Sequence, residues 1–329
     1  MRAMILAAGF GTRLKPLTNG LPKPMFPVLN RPLLEHTLNF LSSQGIQDII
    51  MNVHHLPEKI LEHFGDGTNF GIRLQFSREE EILGTAGGLK KAQSYLEQET
   101  FLVFNSDVLA DINLDDVLKF HKEKNSCLTL VVRQDDEPEK YKPIHLADDG
   151  RITRFVDASI KHPSKSSQRV MFTGIQIMEP EIFSRIPANK FCGTTEDIFP
   201  AMIEEGLPVY GYLHENYWID MGTRETYIQA QADALEGKLA LKTSPSRNPE
   251  GPLVVPPVHI GKDCEISNDA QVGPHTVLGD GCRLRSGAVV ENSILWERAT
   301  IGSDATVQNS IIGKEVAIEN GAQVVDASL

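Results

Sequence analysis

The chain is poor in most of the features that announce a function. It has four cysteines in 329 residues, Cys127, Cys192, Cys264 and Cys282, and no two of them form a CxxC pair. That scatter excludes zinc ribbons and dithiol redox motifs, and points to reduced structural thiols rather than a disulfide framework. No apolar run approaches the roughly 18 residues of a membrane-spanning helix. The chain enters its first apolar segment with no signal peptide before it, so a soluble, cytoplasmic protein is expected. Positive charge is also short, 32 Lys and Arg against 44 Asp and Glu, a net −12. This speaks against nucleic acid or an anionic membrane surface as partner, and any cations serving an anionic ligand must be placed locally. The common nucleotide motifs are missing too. There is no Gly-x-x-x-x-Gly-Lys-Ser/Thr, and Gly9-x-Gly11-x-x-Leu14 lacks the third glycine of the dinucleotide fingerprint.

What the chain does carry is concentrated near its start. Met1–Leu6 reads as a first buried strand. It opens into Ala7-Ala8-Gly9-Phe10-Gly11-Thr12-Arg13-Leu14, with Pro22-Lys23-Pro24-Met25 close behind. A strand ending in Gly-x-Gly lets the backbone turn sharply and present N–H groups to phosphates. A bare Gly-x-Gly is more often a plain turn, but the full string is more specific, and Arg13 and Lys23 add two cations at controlled distance. Together they read as a nucleoside triphosphate site. The string resembles the signature of the nucleotide-sugar pyrophosphorylases, the sugar-1-phosphate nucleotidylyltransferases. In that family this loop wraps the triphosphate. The resemblance implies nucleotide binding by Ala7, Ala8, Gly9, Gly11 and Thr12, with Arg13 and Lys23 as the catalytic cations that neutralise the phosphates.

Two architectures follow one another. Up to about residue 235, strand and helix patterns alternate: a helix from Pro32 through Leu34, Leu38 and Leu41, a strand at 48–53, a helix at 57–64, strands at 72–76 and 101–104, and further pairs beyond. Alternation of this kind predicts an α/β domain with a largely parallel sheet, whose ligands bind beyond the carboxyl ends of the strands. The Gly-rich loop and Asn105-Ser106-Asp107 both fall at such ends and are expected to share a crevice. After a Pro/Ser/Asn-rich stretch at 243–257, apolar residues recur every six positions: Ile260, Ile266, Val272, Leu278, Leu284 and Val290. The count slips by one to Leu295, resumes at Ile301 and Val307, slips again to Ile312, and runs on through Ile318 and Val324. Small residues, Cys264 and Cys282 among them, often stand four positions later. A period of six has no helical explanation and marks a hexapeptide parallel β-helix of about four turns. The reading is thus a nucleotidyltransferase domain over 1–242 with a Rossmann-like mixed sheet, a linker over 243–257, and a left-handed parallel β-helix over 258–329. His259 and His275 lie in the repeat and read as surface or turn residues. The β-helix itself reads as an assembly platform or a lid, and side-by-side association predicts a homo-oligomer.

The reaction that the resemblance implies joins an NTP to a sugar 1-phosphate and releases pyrophosphate. It brings anions together, so the protein must position them and neutralise charge. Mg²⁺ suits this, since carboxylates hold it while substrate phosphates complete its octahedron. Asp107, at the end of the apolar run Phe101–Phe104, and Asp220, in Trp218-Ile219-Asp220-Met221-Gly222-Thr223, resemble the family's metal ligands; taken alone, they also read as a turn residue and a helix cap. The segment Glu81-Ile82-Leu83-Gly84-Thr85-Ala86-Gly87-Gly88 resembles the nucleobase segment of the mannose-1-phosphate guanylyltransferase-like branch. It implies Glu81, Gly84, Thr85 and Gly88 as nucleotide contacts and favours GTP. Thr173-Gly174 and Thr195-Glu196-Asp197 resemble the sugar-binding segments, giving Gly174 and Glu196 as sugar contacts, with Trp218 covering the sugar or packing in the core.

One departure stands out. Many relatives carry Glu-Lys-Pro before the Thr-Gly segment, its lysine gripping the sugar phosphate, where this chain reads Arg154-Phe155-Val156-Asp157-Ala158-Ser159. Lys161 and Lys165 are the substitutes that the sequence offers. GTP with mannose 1-phosphate is the reading favoured here. UTP, dTTP or CTP with another hexose or heptose phosphate is the alternative, and a nucleotide-sugar sensor without activity and an acyltransferase using the β-helix are the rivals from other classes.

Overall fold

The structure is a computed structural model, and it describes residues 1–139, 141–160, 167–239, 241 and 251–329. Tertiary contacts divide the chain into two compact units. One is built from Met1–Gly9 and Thr37–Trp218, the other from Phe10–His36 and Ile219–Leu329.

The first unit holds a ten-stranded mixed sheet: β1 (Arg2–Leu6), β2 (Asp48–Val53), β3 (Arg73–Arg78), β4 (Phe101–Asn105), β5 (Leu128–Gln134), β6 (Ile144–Ala147), β7 (Ile152–Phe155), β8 (Ala158–Ser159), β9 (Ser167–Met178) and β10 (Val209–Leu213). The order is β8-β7-β6-β9-β4-β1-β2-β3, with β5 paired to β9 and β10 to β5. Strands β4, β1, β2 and β3 are parallel and form the Rossmann-like half. Helices α1 (Leu33–Ser43), α2 (Pro57–Phe64) and α3 (Gly84–Lys91) lie between them in sequence, and α4 (Phe199–Glu204) precedes β10. The largely parallel sheet expected from the alternation holds for this half only. No helix separates β6, β7, β8 and β9 among the described residues, and strands joined without a crossover run antiparallel. Hence β7 is antiparallel to β6 and β8, and β9 to β6; β9 also runs antiparallel to β4 and β5. Met4, Phe101, Val103, Leu128, Leu130 and Val170 are fully buried at the centre.

In the second unit, Pro27–Val28 and Arg31–Pro32 form a two-stranded hairpin, so Pro32 closes a hairpin and the helix begins one residue later than the sequence suggests. Helix α5 (Arg224–Leu235) starts at a capping box in which Thr223 and Thr226 bond reciprocally. The repeat region forms the β-helix, three parallel sheets in which the hexad residues stack in columns. Val254, Val272, Val290, Val307 and Val324 make one column, Ile260, Leu278, Leu295 and Ile312 the second, and Ile266, Leu284, Ile301 and Ile318 the third. Both slips in the count fall at the same corner, between Val290 and Leu295 and between Val307 and Ile312, where the chain turns through Asn292 and Asn309 with positive φ. The side-chain amide of Asn292 donates to Asn309 at 3.1 Å there. Each buried column residue contributes about 1.5–3 kcal/mol. The β-helix starts within the stretch read as linker, since Leu253–Val254 already pairs with Gln271–Val272; residues 242–250 lie outside the described residues.

The histidines of the repeat part company. His275 sits at a corner with positive φ and meets Glu236 at 2.8 Å, as a turn histidine should. His259 is buried, contrary to the expectation. It stands on the outer side of one sheet, in a row with Val277, Ile294 and Ile311, all of them 5% exposed or less.

Candidate active site

In the first unit, Leu6 and Asn105 are register partners, so Ala7–Gly9 and Ser106–Asp107 leave the sheet side by side. Ala7 and Ala8 are buried, Gly9 is exposed, and a Cβ on Gly9 would meet nothing within 4 Å. Asp107 is half-buried in the turn between β4 and the strand Val108–Ala110.

A buried polar relay ties this loop to the segment read as the nucleobase site. Ala7 N–H donates to Asn52 Oδ1 (2.9 Å), Asn52 Nδ2 donates to Glu79 Oε1 (2.7 Å), and Leu83 N–H donates to Glu79 Oε2 (2.9 Å). Asn52 and Glu79 are at most 3% exposed. Gly88 is where these side chains cross the helix: a Cβ there would lie 2.7 Å from Asn52 Nδ2 and 2.8 Å from Glu79 Oε1. The sequence singles out Glu81, which is exposed; Glu79, two residues earlier, is the carboxylate inside. At the end of β3 the burial alternates, Ser77 in, Arg78 out, Glu79 in and Glu80 out, which places the Glu79 side chain on the inner side.

Gly84 and Thr85 open α3 against Cys192–Thr194. Ala86 and Gly87 N–H donate to the Cys192 carbonyl (2.9 and 3.1 Å), and Thr85 Oγ1 accepts from Thr194 N–H (2.7 Å). Thr194–Ile198 is a wide, π-type turn running into α4. It carries Glu196, which ion-pairs with Lys142 at 3.3 Å. Lys142 is a residue that sequence reasoning missed; Lys161 and Lys165, the substitutes it offered, lie outside the described residues. Neighbouring Tyr141 meets Trp218 edge-on, ring centroids 6.2 Å apart. Trp218 is half-buried, and its indole N–H donates to the Thr173 carbonyl at 2.9 Å. Gly174 lies in a bulge of β9, where the register with β5 breaks. Its φ of +82° and a virtual Cβ 2.6 Å from Asn105 Nδ2 both require glycine. The first unit therefore holds Ala7, Gly84, Thr85, Gly88, Gly174, Glu196 and Trp218.

The second unit holds the rest of the signature. Gly11 has φ +60° and leads into a tight turn, Thr12–Leu14, with Thr12 and Arg13 exposed. A Cβ on Gly11 would press on Thr18 Cγ2 at 2.9 Å and Lys23 Cβ at 3.3 Å. Lys23 is 8% exposed, with Nζ 3.6 Å from Asp220 Oδ1. Gly222 leaves room for both neighbours, since its Cβ would fall 2.7 Å from an Arg13 guanidinium nitrogen and 2.9 Å from Asp220 Oδ1. Arg13, Lys23, Asp220 and Gly222 thus converge. Asp220 is not the helix cap, a role taken by Thr223. Three or more His, Cys, Asp or Glu side chains do not cluster as a metal cage among the described residues.

The class that this fold and these residues define is shown by comparison with known proteins. The chain matches the nucleotidyl transferase family over residues 2–237 and the GMPPB C-terminal domain family over residues 254–329. It is 32% identical to a UTP–glucose-1-phosphate uridylyltransferase of Synechocystis, over 90% of this chain and 83% of that protein. It is 33% identical to the mannose-1-phosphate guanylyltransferase catalytic subunit beta of Danio rerio (89% and 82%), and 30% identical to the mannose-1-phosphate guanylyltransferase of Mycobacterium tuberculosis (88% and 82%). Among solved structures, HddC from Yersinia pseudotuberculosis, complexed with GMP-PN, superposes with a TM-score of 0.60 at 25% identity, over 71% of this chain and 99% of that one. The protein belongs to the sugar-phosphate nucleotidyltransferase family and is a nucleotidyltransferase enzyme.

Proposed function

We propose that this enzyme transfers a guanylyl group from GTP to mannose 1-phosphate, releasing pyrophosphate. The convergence of Arg13, Lys23 and Asp220 carries the reading: two cations and a carboxylate, with a glycine keeping the space between them open. The backbone of Ala7–Thr12 binds the triphosphate, and Arg13 and Lys23 offset its charge as the sugar phosphate oxygen attacks the α-phosphorus in line. No covalent intermediate is needed. Asp107 and Asp220 are oxygen donors of the kind Mg²⁺ takes, and an ion that completes its shell with substrate phosphates needs only one or two protein carboxylates. Asp220 is paired but a quarter exposed, so it remains open to such an ion. Bound there, Mg²⁺ supplies further charge neutralisation on the phosphates.

Gly84, Thr85 and Gly88, with Glu81 at the exposed entrance, form the nucleobase segment, and Gly174, Glu196 and Trp218 hold the sugar. Lys142 stands beside Glu196 as the cation for the sugar phosphate, in place of the absent Glu-Lys-Pro lysine. We infer work in the cytoplasm as a homo-oligomer associating through the β-helix, which light scattering at micromolar concentration tests. The guanylyltransferases of fish and mycobacterium support GTP; the Synechocystis uridylyltransferase supports the second reading, UTP with glucose 1-phosphate. Pyrophosphate release over a grid of GTP, UTP, dTTP, CTP and ATP against common sugar 1-phosphates decides between them. A dominant signal with GTP and mannose 1-phosphate is expected, and a dominant signal elsewhere in the grid overturns the assignment.

A further inference from the structure

Trp296 is the only Phe, Trp or Tyr in residues 251–329. It follows the inward Leu295, so its side chain leaves the β-helix on the outer side, yet it is only 5% exposed. Phe26 covers it, ring centroids 4.8 Å apart and edge-on, and Tyr227 of α5 packs on Phe26 in turn at 5.5 Å. The polar atoms are joined as well. Trp296 Nε1–H donates to Tyr227 Oη (3.2 Å), and Tyr227 O–H and Gln231 Nε2 both donate to the Pro27 carbonyl (2.6 and 2.5 Å). At the hairpin tip, Asn30 Nδ2 donates to the Leu278 carbonyl of the β-helix (2.7 Å), and Leu29 N–H donates to Gln231 Oε1 (3.0 Å). Phe26 is meanwhile fixed to the turn that bears the signature lysine, since its N–H donates to the Lys23 carbonyl at 3.0 Å. One outer face of the β-helix, the row His259, Val277, Ile294 and Ile311, is buried in the same unit, where the equivalent row of another sheet reads Glu265, Arg283, Thr300 and Ala317.

We infer that Trp296 is a positioning residue for nucleotidyl transfer: through Phe26 and the Tyr227–Pro27 bond it holds the Lys23 turn against Asp220. The β-helix thereby sets the geometry of the phosphate-binding lysine in its own chain, beyond any role as a platform. This rests on the reading of Lys23 as the phosphate cation. A side chain displaced by about 1 Å can lose about two orders of magnitude in rate, so a soft anchor is expected to be felt in turnover.

The test is steady-state pyrophosphate release by full-length Trp296→Leu, Trp296→Phe, Asn30→Gly, Lys23→Met and Ile318→Ala, with Tm measured for each. Asn30→Gly removes the tie to Leu278 while tolerating the positive φ of that turn. Ile318→Ala loosens the last residue of an inward β-helix column. Trp296→Leu is expected to lower kcat about tenfold and raise KM for the NTP, leaving KM for the sugar phosphate unchanged. Trp296→Phe should recover most of the turnover, Asn30→Gly should shift it in the same direction less strongly, and Ile318→Ala should lose Tm but keep kcat. If Lys23→Met abolishes turnover while Trp296→Leu and Asn30→Gly stay within about twofold of the parent, Trp296 is structural only and the inference is overturned. If Lys23→Met itself keeps parental turnover, the reading of Lys23 fails and the inference falls with it. Should Trp296→Leu not fold, Asn30→Gly decides by the same criterion, a loss of kcat supporting the inference and parental kcat overturning it.

Discussion

The Ala7–Asn52–Glu79–Leu83 relay has a direction, and reversing one link should be costly. Each group has one role: Ala7 N–H and Leu83 N–H can only donate, Asn52 accepts from one side and donates to the other, and both Glu79 oxygens accept. In Glu79→Gln the new amide N–H₂ must face either Asn52 Nδ2 or Leu83 N–H, a donor against a donor. Flipping Asn52 only moves the conflict to Ala7. The loss is one hydrogen bond to a charged acceptor, about 1.5–3 kcal/mol, plus a buried donor left unsatisfied, about 1–3 kcal/mol. Burial of both side chains keeps water from relieving it. A destabilisation of about 2.5–6 kcal/mol is expected, read by differential scanning calorimetry as a Tm lower by about 5 °C or more. On the proposed reading the relay joins the triphosphate loop to the nucleobase segment, so KM for the NTP should rise more than KM for the sugar phosphate. The double variant Asn52→Asp/Glu79→Gln restores every link. The carboxylate introduced at position 52 accepts from Ala7 N–H and from the amide introduced at position 79, whose own oxygen accepts from Leu83 N–H. It should recover at least half of the lost Tm. A Glu79→Gln protein that melts with the parent, or a double variant no better than the single one, refutes the reasoning.

Asp107→Asn should abolish turnover and leave nucleotide binding, measured by calorimetry, largely intact; retained turnover counts against its metal role. Gly222→Ala places a methyl group against Arg13 and Asp220, and should lower kcat with a stability change under about 1 kcal/mol, because the guanidinium end can move aside. Lys142→Met should raise KM for the sugar phosphate and spare KM for the NTP, and the opposite split rejects it as the sugar-phosphate cation. Burial holds His36 and His121 below the ordinary value of 6.5, against the raising effects of the Val28 carbonyl and Glu179 respectively. The unfolded chain therefore takes up these protons first as pH falls. Their stabilisation is complete above about pH 6.5 and is lost as pH drops through the lower folded-state values, so Tm should fall on acidification from about pH 7.5 to 5.5. A Tm that rises over that range refutes it.

Much of the fold is legible in the sequence because it rests on local periodicity. The hexad count locates the inward residues of the β-helix one by one, and even its two slips correspond to a single corner shortened by a residue in successive turns. The family and reaction class are legible from short contiguous strings such as Ala7–Leu14 and Trp218–Thr223, whose spacing is chemical. The antiparallel run of β9 is not, because a strand's direction depends on how the chain returns to the sheet. Glu79 is hidden behind Glu81 because two carboxylates two residues apart differ only in what surrounds them. The buried position of His259 has a faint signal, the apolar outer row Val277, Ile294 and Ile311, which is invisible until the residues are placed in register.

The sequence by itself therefore determined the strand and helix periods, the stacking of the β-helix and the set of chemical groups, since each is fixed by residue type and spacing along the chain. Tertiary structure alone decided which carboxylate is buried, which cation stands beside Glu196, and that residues 10–36 pack with the C-terminal part of the chain rather than with the strand they follow. The physical reason is that burial and pairing depend on groups brought together from distant positions, Phe26 with Trp296 or Asn52 with Glu79, and no local pattern encodes such a meeting.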